Sequence, residues 1–233
     1  MARLSRKQLK HDRFVEEVGE QVHFLAEHRN QALAAVGVVI VLAVGAAAFF
    51  SYQRSQDQAG RVALFESLRL YHGAVTAEQR PGYITFATTG ERVRRTTESL
   101  EKLRTDFAGR KEAQAADYYL GLLNIEEEKL DEAKPLLESA ISGADPIYGS
   151  LARLALADVL RRQDDVEGAK SQYQALIDNP SSVVPASRAK LELARSLTEK
   201  DPAQATALLE ELVAEGGPAT GAASLTLRKI RGS

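Results

Sequence analysis

Small and bulky residues recur at a fixed interval in the second half of this 233-residue chain. Ala133, Ala169 and Ala205 are each separated by 36 residues. Two further sets keep the same interval: Leu137, Tyr173 and Leu209, and then Ala140, Leu176 and Leu212. An interval of this length is typical of stacked supersecondary units, which bury their apolar faces only against their neighbours. The sequence therefore predicts an array of repeats.

Each repeat has the pattern of two helices joined by a short turn. The predicted pairs are 113–128 with 130–141, 148–162 with 166–178, and 185–199 with 202–215. Asp201 before Pro202 is a favourable helix start, since the aspartate can cap the helix and proline loses no hydrogen bond there. A helix at 219–230 is predicted to close the array. The predicted fold class is all-α, a solenoid of helical hairpins.

The recurring residues have a packing task. A small side chain at a helix crossing lets two axes approach to about 8–10 Å, and bulky neighbours fill the space beside the crossing. The predicted packing residues are Leu120, Gly121, Ala133, Leu137, Ala140, Leu156, Ala157, Ala169, Tyr173, Leu193, Ala194, Ala205 and Leu209. A step of 37 residues back from the first set reaches Thr96, Leu100 and Leu103, which indicates a further half repeat.

An uncharged run precedes the repeats. No residue from Asn30 to Gln53 is charged, and a helix over 32–52 would rise about 31 Å, the thickness of a bilayer's hydrocarbon core. We predict a single transmembrane helix at 31–53. A buried soluble helix is disfavoured because the run has no polar face. A cleaved signal peptide is disfavoured because the segment before the run is long and partly acidic.

The flanks of this run suggest its orientation. Arg3, Arg6, Lys7, Lys10, Arg13 and Arg29 precede it, and a stretch of equal length after it holds Arg54, Arg61, Arg69 and Arg80. Basic flanks stay in the cytoplasm, so the amino end is predicted to be cytoplasmic. The expected organisation is an amphipathic leader at 1–30, the membrane helix, a membrane-proximal helix and connection at 54–90, and the repeat domain at 91–233. The leader is either a docking helix or an extension that positions the anchor.

Composition argues against several classes of function. The chain has no cysteine, which excludes disulfides, thiolate chemistry and zinc–cysteine sites, and its formal charge of −2 argues against nucleic acid as a partner. His11, His23, His28 and His72 have no metal-binding spacing with carboxylate support. No phosphate-binding loop or nucleophile motif is present. We expect no enzyme activity, no cofactor, no metal and no small-molecule substrate.

The predicted working surface is the concave face made by the first helix of each pair. Apolar side chains lie beside arginines there, as a groove for a peptide would require. The candidate residues are Tyr118, Leu122, Ile125, Leu151, Leu154, Asp158, Arg161, Arg162, Arg188, Leu191 and Arg195. Two interpretations stay open, because the apolar members could also pack against the next pair or the closing helix, and the arginines could be ordinary surface charge.

The repeat resembles the tetratricopeptide repeat, most closely at Leu120-Gly121, Ala133, Leu137 and Ala140. Asp117 stands where that repeat has a large aromatic residue, Glu128 replaces its turn glycine, and Pro135 should cost one backbone hydrogen bond. The whole layout of leader, single span and repeats resembles the bacterial YfgM-type ancillary subunit of the SecYEG translocon.

That second resemblance implies a role. It implies a single-pass protein of the bacterial inner membrane whose repeat domain lies in the periplasm. Its partners would be translocon subunits, periplasmic chaperones or exported chains. The alternative is a scaffold for envelope assembly or cell division that binds one fixed, folded partner.

Overall fold

The described part of the chain is almost entirely helical. A computed structural model describes residues 29–76, 78 and 81–232, so the predicted leader at 1–28 lies outside it. Within that part there are nine helices and one pair of two-residue strands. The prediction of an all-α chain, with an apolar amino-terminal helix before a helical repeat domain, is confirmed. The chain divides into two compact units, residues 1–58 and 59–233.

The uncharged run of the first unit lies in helix α1, Arg29–Tyr71. Its large side chains are exposed, with Val38, Ile40 and Val41 between 57% and 71% accessible. Residues Val36–Tyr71 are long and apolar enough to cross a membrane, by length and composition alone. The helix continues past residue 53, the predicted end of the span, because residues 54–71 contain no proline to interrupt it.

The second unit begins with an irregular pair made by the end of α1 and by α2, Thr89–Asp106. Their hydroxyls at Ser67 and Ser99 lie 2.8 Å apart. The connection carries β1, Ala74–Val75, and β2, Thr85–Phe86, which pair in parallel. Strands of two residues leave no alternating pattern, so the sequence could not reveal them.

Three regular helix pairs and a closing helix follow. Each of these helices begins and ends within two residues of the predicted position. They are α3, Lys111–Glu126, with α4, Leu130–Ser142; α5, Pro146–Arg162, with α6, Val166–Asp178; α7, Ala186–Leu197, with α8, Pro202–Glu215; and α9, Thr220–Arg231. Asp145, Asp165 and Asp201 cap α5, α6 and α8, since each carboxylate accepts a hydrogen bond from a backbone N–H in the first turn.

The core lies at the crossings between consecutive helices. Every predicted packing residue is buried, as are Thr96, Leu100 and Leu103 of the further half repeat. Gly121 shows why a crossing needs a small residue, because a Cβ added there would lie 2.7 Å from Leu137 Cδ2. Leu120 and Leu123, on either side of it, bury their side chains against α2.

The turns inside the first two regular pairs have an unusual backbone. Glu128 and Asp164 have φ values of 60° and 63°, in the left-handed region that favours glycine. Pro135 lies inside α4, which runs unbroken from Leu130 to Ser142 despite the backbone donor that proline lacks. Neither feature disturbs the stacking, because Glu128, Asp164 and Pro135 are all exposed at the surface.

Candidate functional site

The first helices of the last two regular pairs, α5 and α7, supply most of the candidate site. Leu154, Asp158 and Arg161 follow one another at spacings of four and three residues on α5. Arg188, Glu192 and Arg195 repeat these spacings on α7. Side chains three and four residues apart share one face of a helix. The two helices therefore present matching faces, while their small residues are buried at the crossings.

These two faces border a cavity of about 410 Å³. Its lining includes five of the predicted groove residues: Leu154, Asp158, Arg161, Arg188 and Arg195. Glu192 and Ser196 also line it and were missed, although Glu192 lies three residues before Arg195 on the same helix face. Tyr173, predicted only as a packing residue, reaches the cavity from α6.

Charge in this cavity is mostly paired. Arg161 donates to Asp158 at 2.6 Å, and Arg195 donates to Glu192 at 3.0 Å. Burial, followed by the negative charges of Glu192 and Asp158, raises the pKa of Tyr173 to about 12, against a smaller opposing effect of Arg161. The Tyr173 hydroxyl is therefore neutral at physiological pH and lines the same cavity as Asp158 and Glu192.

Arg188 differs from the other two arginines. Its guanidinium donates to the Val183 carbonyl oxygen at 3.5 Å, and it makes no ion pair within the part of the chain that the structure describes. The cavity thus offers one positive charge that is not already neutralised by a carboxylate.

A second cavity, of about 440 Å³, adjoins the first. The two cavities share the lining residues Arg161, Arg195 and Ser196, and we call them together the repeat groove. The second cavity extends between the turn after α7 and the closing helix, where Lys200 pairs with Asp164 at 2.9 Å. Lys229 of α9 lines its far side.

Four tyrosines form a separate cluster, which we call the tyrosine patch: Tyr71, Tyr118, Tyr119 and Tyr148. The ring centroids of neighbours lie 5.0–6.3 Å apart, mostly in edge-to-face arrangements. All four side chains are half-buried. Only Tyr118 was predicted; the others come from the end of α1, from α3 and from the start of α5.

The tyrosine patch and the repeat groove share a neighbour. Burial raises the pKa of Tyr118 to about 12, with contributions from Tyr119 and Tyr71, while Arg188 lowers it. Arg188, which lines the first cavity, thus contributes a positive charge that opposes the rise in the pKa of Tyr118. Burial likewise raises the pKa of Tyr148 to about 12. These hydroxyls stay protonated over the physiological range.

Several predicted groove residues lie in the core instead. Leu191 is buried among residues of α8 and α9, because the closing helix covers it; its assignment to the groove is wrong. Leu151 packs against the cluster that contains Leu176 and Val184. Ile125 packs against a larger cluster, which we call the central core cluster and which includes Leu137, Leu156 and Leu193. The second interpretation of the sequence, packing against a neighbour, thus describes these three side chains.

The remaining predicted residues have mixed positions. Tyr118 and Leu154 are half-buried and contact the central core cluster. Tyr118 also belongs to the tyrosine patch, and Leu154 lines the first cavity. Leu122 is half-buried on α3, outside the lining of the two cavities. Arg162 pairs with Glu128 of the preceding turn, away from its neighbour Arg161.

Metal-ligating residues do not gather in the described ranges. Over residues 29–76, 78 and 81–232, no group of three or more His, Asp or Glu side chains could hold a metal ion. His72 is exposed, and the other three histidines lie outside those ranges.

Comparison with known proteins bears on the repeat. A family model described as tetratricopeptide repeat-like domain matches residues 23–175. That range covers the apolar run, α2 to α5 and most of α6. No curated protein matches the chain.

Proposed function

Because the chain belongs to the tetratricopeptide repeat-like domain family, we propose that it is a membrane-tethered, non-enzymatic scaffold whose repeat domain binds segments of other proteins. The observation that carries this proposal is the repeat groove, in which apolar Leu154 lies beside three arginines and two carboxylates. Apolar contacts and charge-assisted hydrogen bonds together are what recognition of a peptide segment uses.

We place the protein in the inner membrane of a bacterium, with its amino end in the cytoplasm and its repeats in the periplasm. Two features support this placement. Helix α1 is long and apolar enough to span a bilayer. Six basic residues precede the span and four follow it over an equal length, which favours retention of the amino end in the cytoplasm.

The partners we propose are components of protein export: translocon subunits, periplasmic chaperones, or exported chains in transit. Support comes from the layout of leader, single span and repeats, which resembles the YfgM-type ancillary subunit of the SecYEG translocon. A scaffold at that place would bind segments of many sequences, so its groove should combine apolar contacts with charges of both signs. The repeat groove has this mixture.

The mechanism is confinement. An anchored groove meets partners of the same membrane at a high effective concentration, so weak contacts suffice for frequent binding. Paired charges suit weak binding as well, because Arg161 and Arg195 already have carboxylate partners. Replacing such a partner by a carboxylate of the bound segment adds little binding free energy. We therefore expect fast, reversible binding of segments.

Photocrosslinking in cells tests this proposal. A crosslinking amino acid replaces Leu154 in the repeat groove, and a matched control replaces Glu138, which is exposed on α4. We expect Leu154 to capture newly exported chains or export components, and Glu138 to capture far less. A single folded partner at Leu154 would favour the assembly scaffold instead, and equal capture at both positions would remove the groove from the proposal.

A topology reporter fused after Ser233 tests the orientation separately. We expect activity from a reporter that works only in the periplasm. Activity from a reporter that works only in the cytoplasm would exclude the export role, because the repeats would then lie on the wrong side of the membrane.

A further inference from the structure

We propose that the repeat groove prefers acidic segments of its partners, and that Arg188 sets this preference by pairing with an Asp or Glu side chain of the bound segment. The inference rests on the proposed function, since it assumes that the repeat groove binds protein segments. It adds the chemical class of segment and the residue of this chain that selects it.

The lining of the first cavity carries more positive than negative charge. Three arginines line it together with two carboxylates. Arg161 donates to Asp158 at 2.6 Å, and Arg195 donates to Glu192 at 3.0 Å. Each of these pairs joins residues three apart on one helix, so it forms without help from a ligand. Arg188 is the arginine that remains without a carboxylate among the described residues.

The guanidinium of Arg188 keeps most of its hydrogen-bond donors available. A guanidinium has five N–H donors in a planar fork, and the described residues accept from it at one atom, the Val183 carbonyl oxygen at 3.5 Å. The Arg188 side chain is exposed, so a carboxylate of a ligand can reach it. A carboxylate binds such a fork through two parallel hydrogen bonds, which are stronger than those between neutral groups. Among the arginines of this cavity, Arg188 therefore gains a new ion pair when an acidic segment binds.

Leu154 adds an apolar requirement to this preference. It lines the same cavity as Arg188 and is half-buried. An apolar side chain of the bound segment can remove the rest of the Leu154 surface from water. A highly charged segment would leave Leu154 in contact with water, and a neutral segment would leave Arg188 without a partner. The segment that satisfies both residues has an acidic residue beside apolar ones.

The helices around the groove extend the same charge pattern. Helices α5 and α7 each carry three basic residues and one acidic residue, and α9 carries three basic residues and no acidic one. The second helices of the pairs have the opposite sign, since α4 holds three acidic residues against one basic, α6 two against one, and α8 three against none. The three basic helices line the groove, whereas α4 and α8 contribute no residue to its lining. Such a surface attracts acidic segments towards the groove.

The test uses the full chain in a non-ionic detergent and a short peptide. The peptide has one central glutamate between two leucines and one terminal Trp, and both of its ends are blocked, so that its only carboxylate is a side chain. Because the chain itself has no Trp, Trp fluorescence reports only the peptide. We expect saturable binding of this peptide and about three- to tenfold weaker binding of its glutamine version. The difference should shrink as salt is added.

Variants of Arg188 connect this difference to one side chain. Arg188→Gln should bind the glutamate and glutamine peptides equally. Arg228→Gln is the matched control, because Arg228 is exposed, lies outside the lining of both cavities and makes no ion pair in the part of the chain described. It removes the same charge and should keep the preference. Arg188→Glu should reverse the preference, so that a lysine version of the peptide binds more tightly than the glutamate version. Far-UV circular dichroism checks that each variant folds.

Three results would overturn the inference. One is equal binding of the glutamate and glutamine peptides by the native chain, and another is an equal loss of preference in Arg188→Gln and Arg228→Gln, which would indicate general charge attraction. The third is self-association, seen by sedimentation, that Arg188→Gln abolishes, because an acidic face of a second copy would then occupy the groove.

Crosslinking from Leu154 in cells separates this inference from the proposed function. Crosslinks at Leu154 without a preference for the glutamate peptide reject only the inference. The absence of both crosslinks and peptide binding rejects the proposed function as well.

Discussion

Glu128 and Asp164 occupy the same place in consecutive repeats, 36 residues apart, and both hold a left-handed backbone, with φ of 60° and 63°. Glycine adopts this conformation without a steric penalty, and aspartate tolerates it better than glutamate does. Both turns therefore carry a residue that is less suited than glycine to the backbone it must adopt, and the strain is greater at Glu128.

Glu128→Gly should stabilise the repeat domain. We expect a gain of about 0.5–1 kcal/mol, because removal of the strained Cβ outweighs the greater freedom of glycine in the unfolded chain. The ion pair with Arg162 is lost, but Glu128 is 73% exposed and such pairs contribute little. The measurement is the thermal unfolding midpoint of the full chain in detergent, followed by far-UV circular dichroism.

Glu127→Gly is the control for that change. Glu127 is the adjacent residue and has a φ of −86°, where glycine relieves no strain. The thermal unfolding midpoint of the Glu127→Gly variant should fall or stay constant. A rise of equal size in both variants would show that the left-handed backbone is not the cause. Asp164→Gly should give a smaller gain than Glu128→Gly, because aspartate tolerates the conformation better.

The regular pairs could be predicted from sequence because their signals are local. Ala133 and Ala169 mark equivalent crossings at a constant interval, and Asp201 before Pro202 marks a helix start. The structure places all these residues where that pattern requires. By contrast, the sequence could not predict that Leu191 is buried. Helix α9 covers it, and the repeat interval does not specify where a closing helix packs.

The tyrosine patch shows a second limit. Tyr118 and Tyr119 are adjacent in sequence and Tyr148 lies at the start of the next regular pair, but Tyr71 reaches them only through a connection with the two short strands. The length and pairing of that connection leave no periodic signal. The same holds for Glu192, whose role in the cavity depends on how α7 packs against α6. Long-range stacking, rather than helix formation, sets the candidate site.

Gly121→Ala should destabilise the first regular pair. The added Cβ would lie 2.7 Å from Leu137 Cδ2, and Leu137 is fully buried, so the crossing must widen. We expect a loss of about 1–3 kcal/mol, typical of overpacking. Gly149→Ala is the matched control on α5, because its nearest neighbour is 3.6 Å away. That variant should gain up to about 1 kcal/mol from helix propensity. Equal midpoints for the two variants would contradict the close crossing.

Gln114→Ala should cost more than an ordinary surface change. The Gln114 side chain is buried, donates to the carbonyl oxygens of Ala140 and Asp145 at 2.7 and 2.9 Å, and accepts from the Asp145 N–H at 2.8 Å. It therefore ties α3 to the link between α4 and α5. Removing it leaves backbone groups unpaired, and we expect a loss of about 2–3 kcal/mol.

Gln174→Ala provides the comparison for that variant. Gln174 is exposed and makes one hydrogen bond, to Asp178 at 2.8 Å on its own helix. Its removal should change the free energy of unfolding by no more than about 0.5 kcal/mol. The stabilities of the Gln114→Ala and Gln174→Ala variants are measured in the same thermal unfolding experiment. A Gln114→Ala midpoint as high as that of Gln174→Ala would mean that the three buried hydrogen bonds contribute no net stability.

Alkaline unfolding should depend on Tyr173. Its pKa is raised to about 12 in the folded chain by burial and by Glu192 and Asp158, against 10.0 for the free group. A raised pKa favours the folded state while the hydroxyl stays protonated, so the stabilisation is complete below about pH 10 and is lost as the pH rises towards 12. With Tyr173 only 4% exposed, the difference between the two pKa values corresponds to about 2–3 kcal/mol.

Tyr173→Phe keeps the ring and removes the ionisation, so its unfolding midpoint should fall less than that of the native chain over this range. Tyr118 and Tyr148 ionise in both proteins, and the difference between the two curves therefore isolates Tyr173. Parallel curves would contradict the raised pKa of the buried Tyr173 hydroxyl.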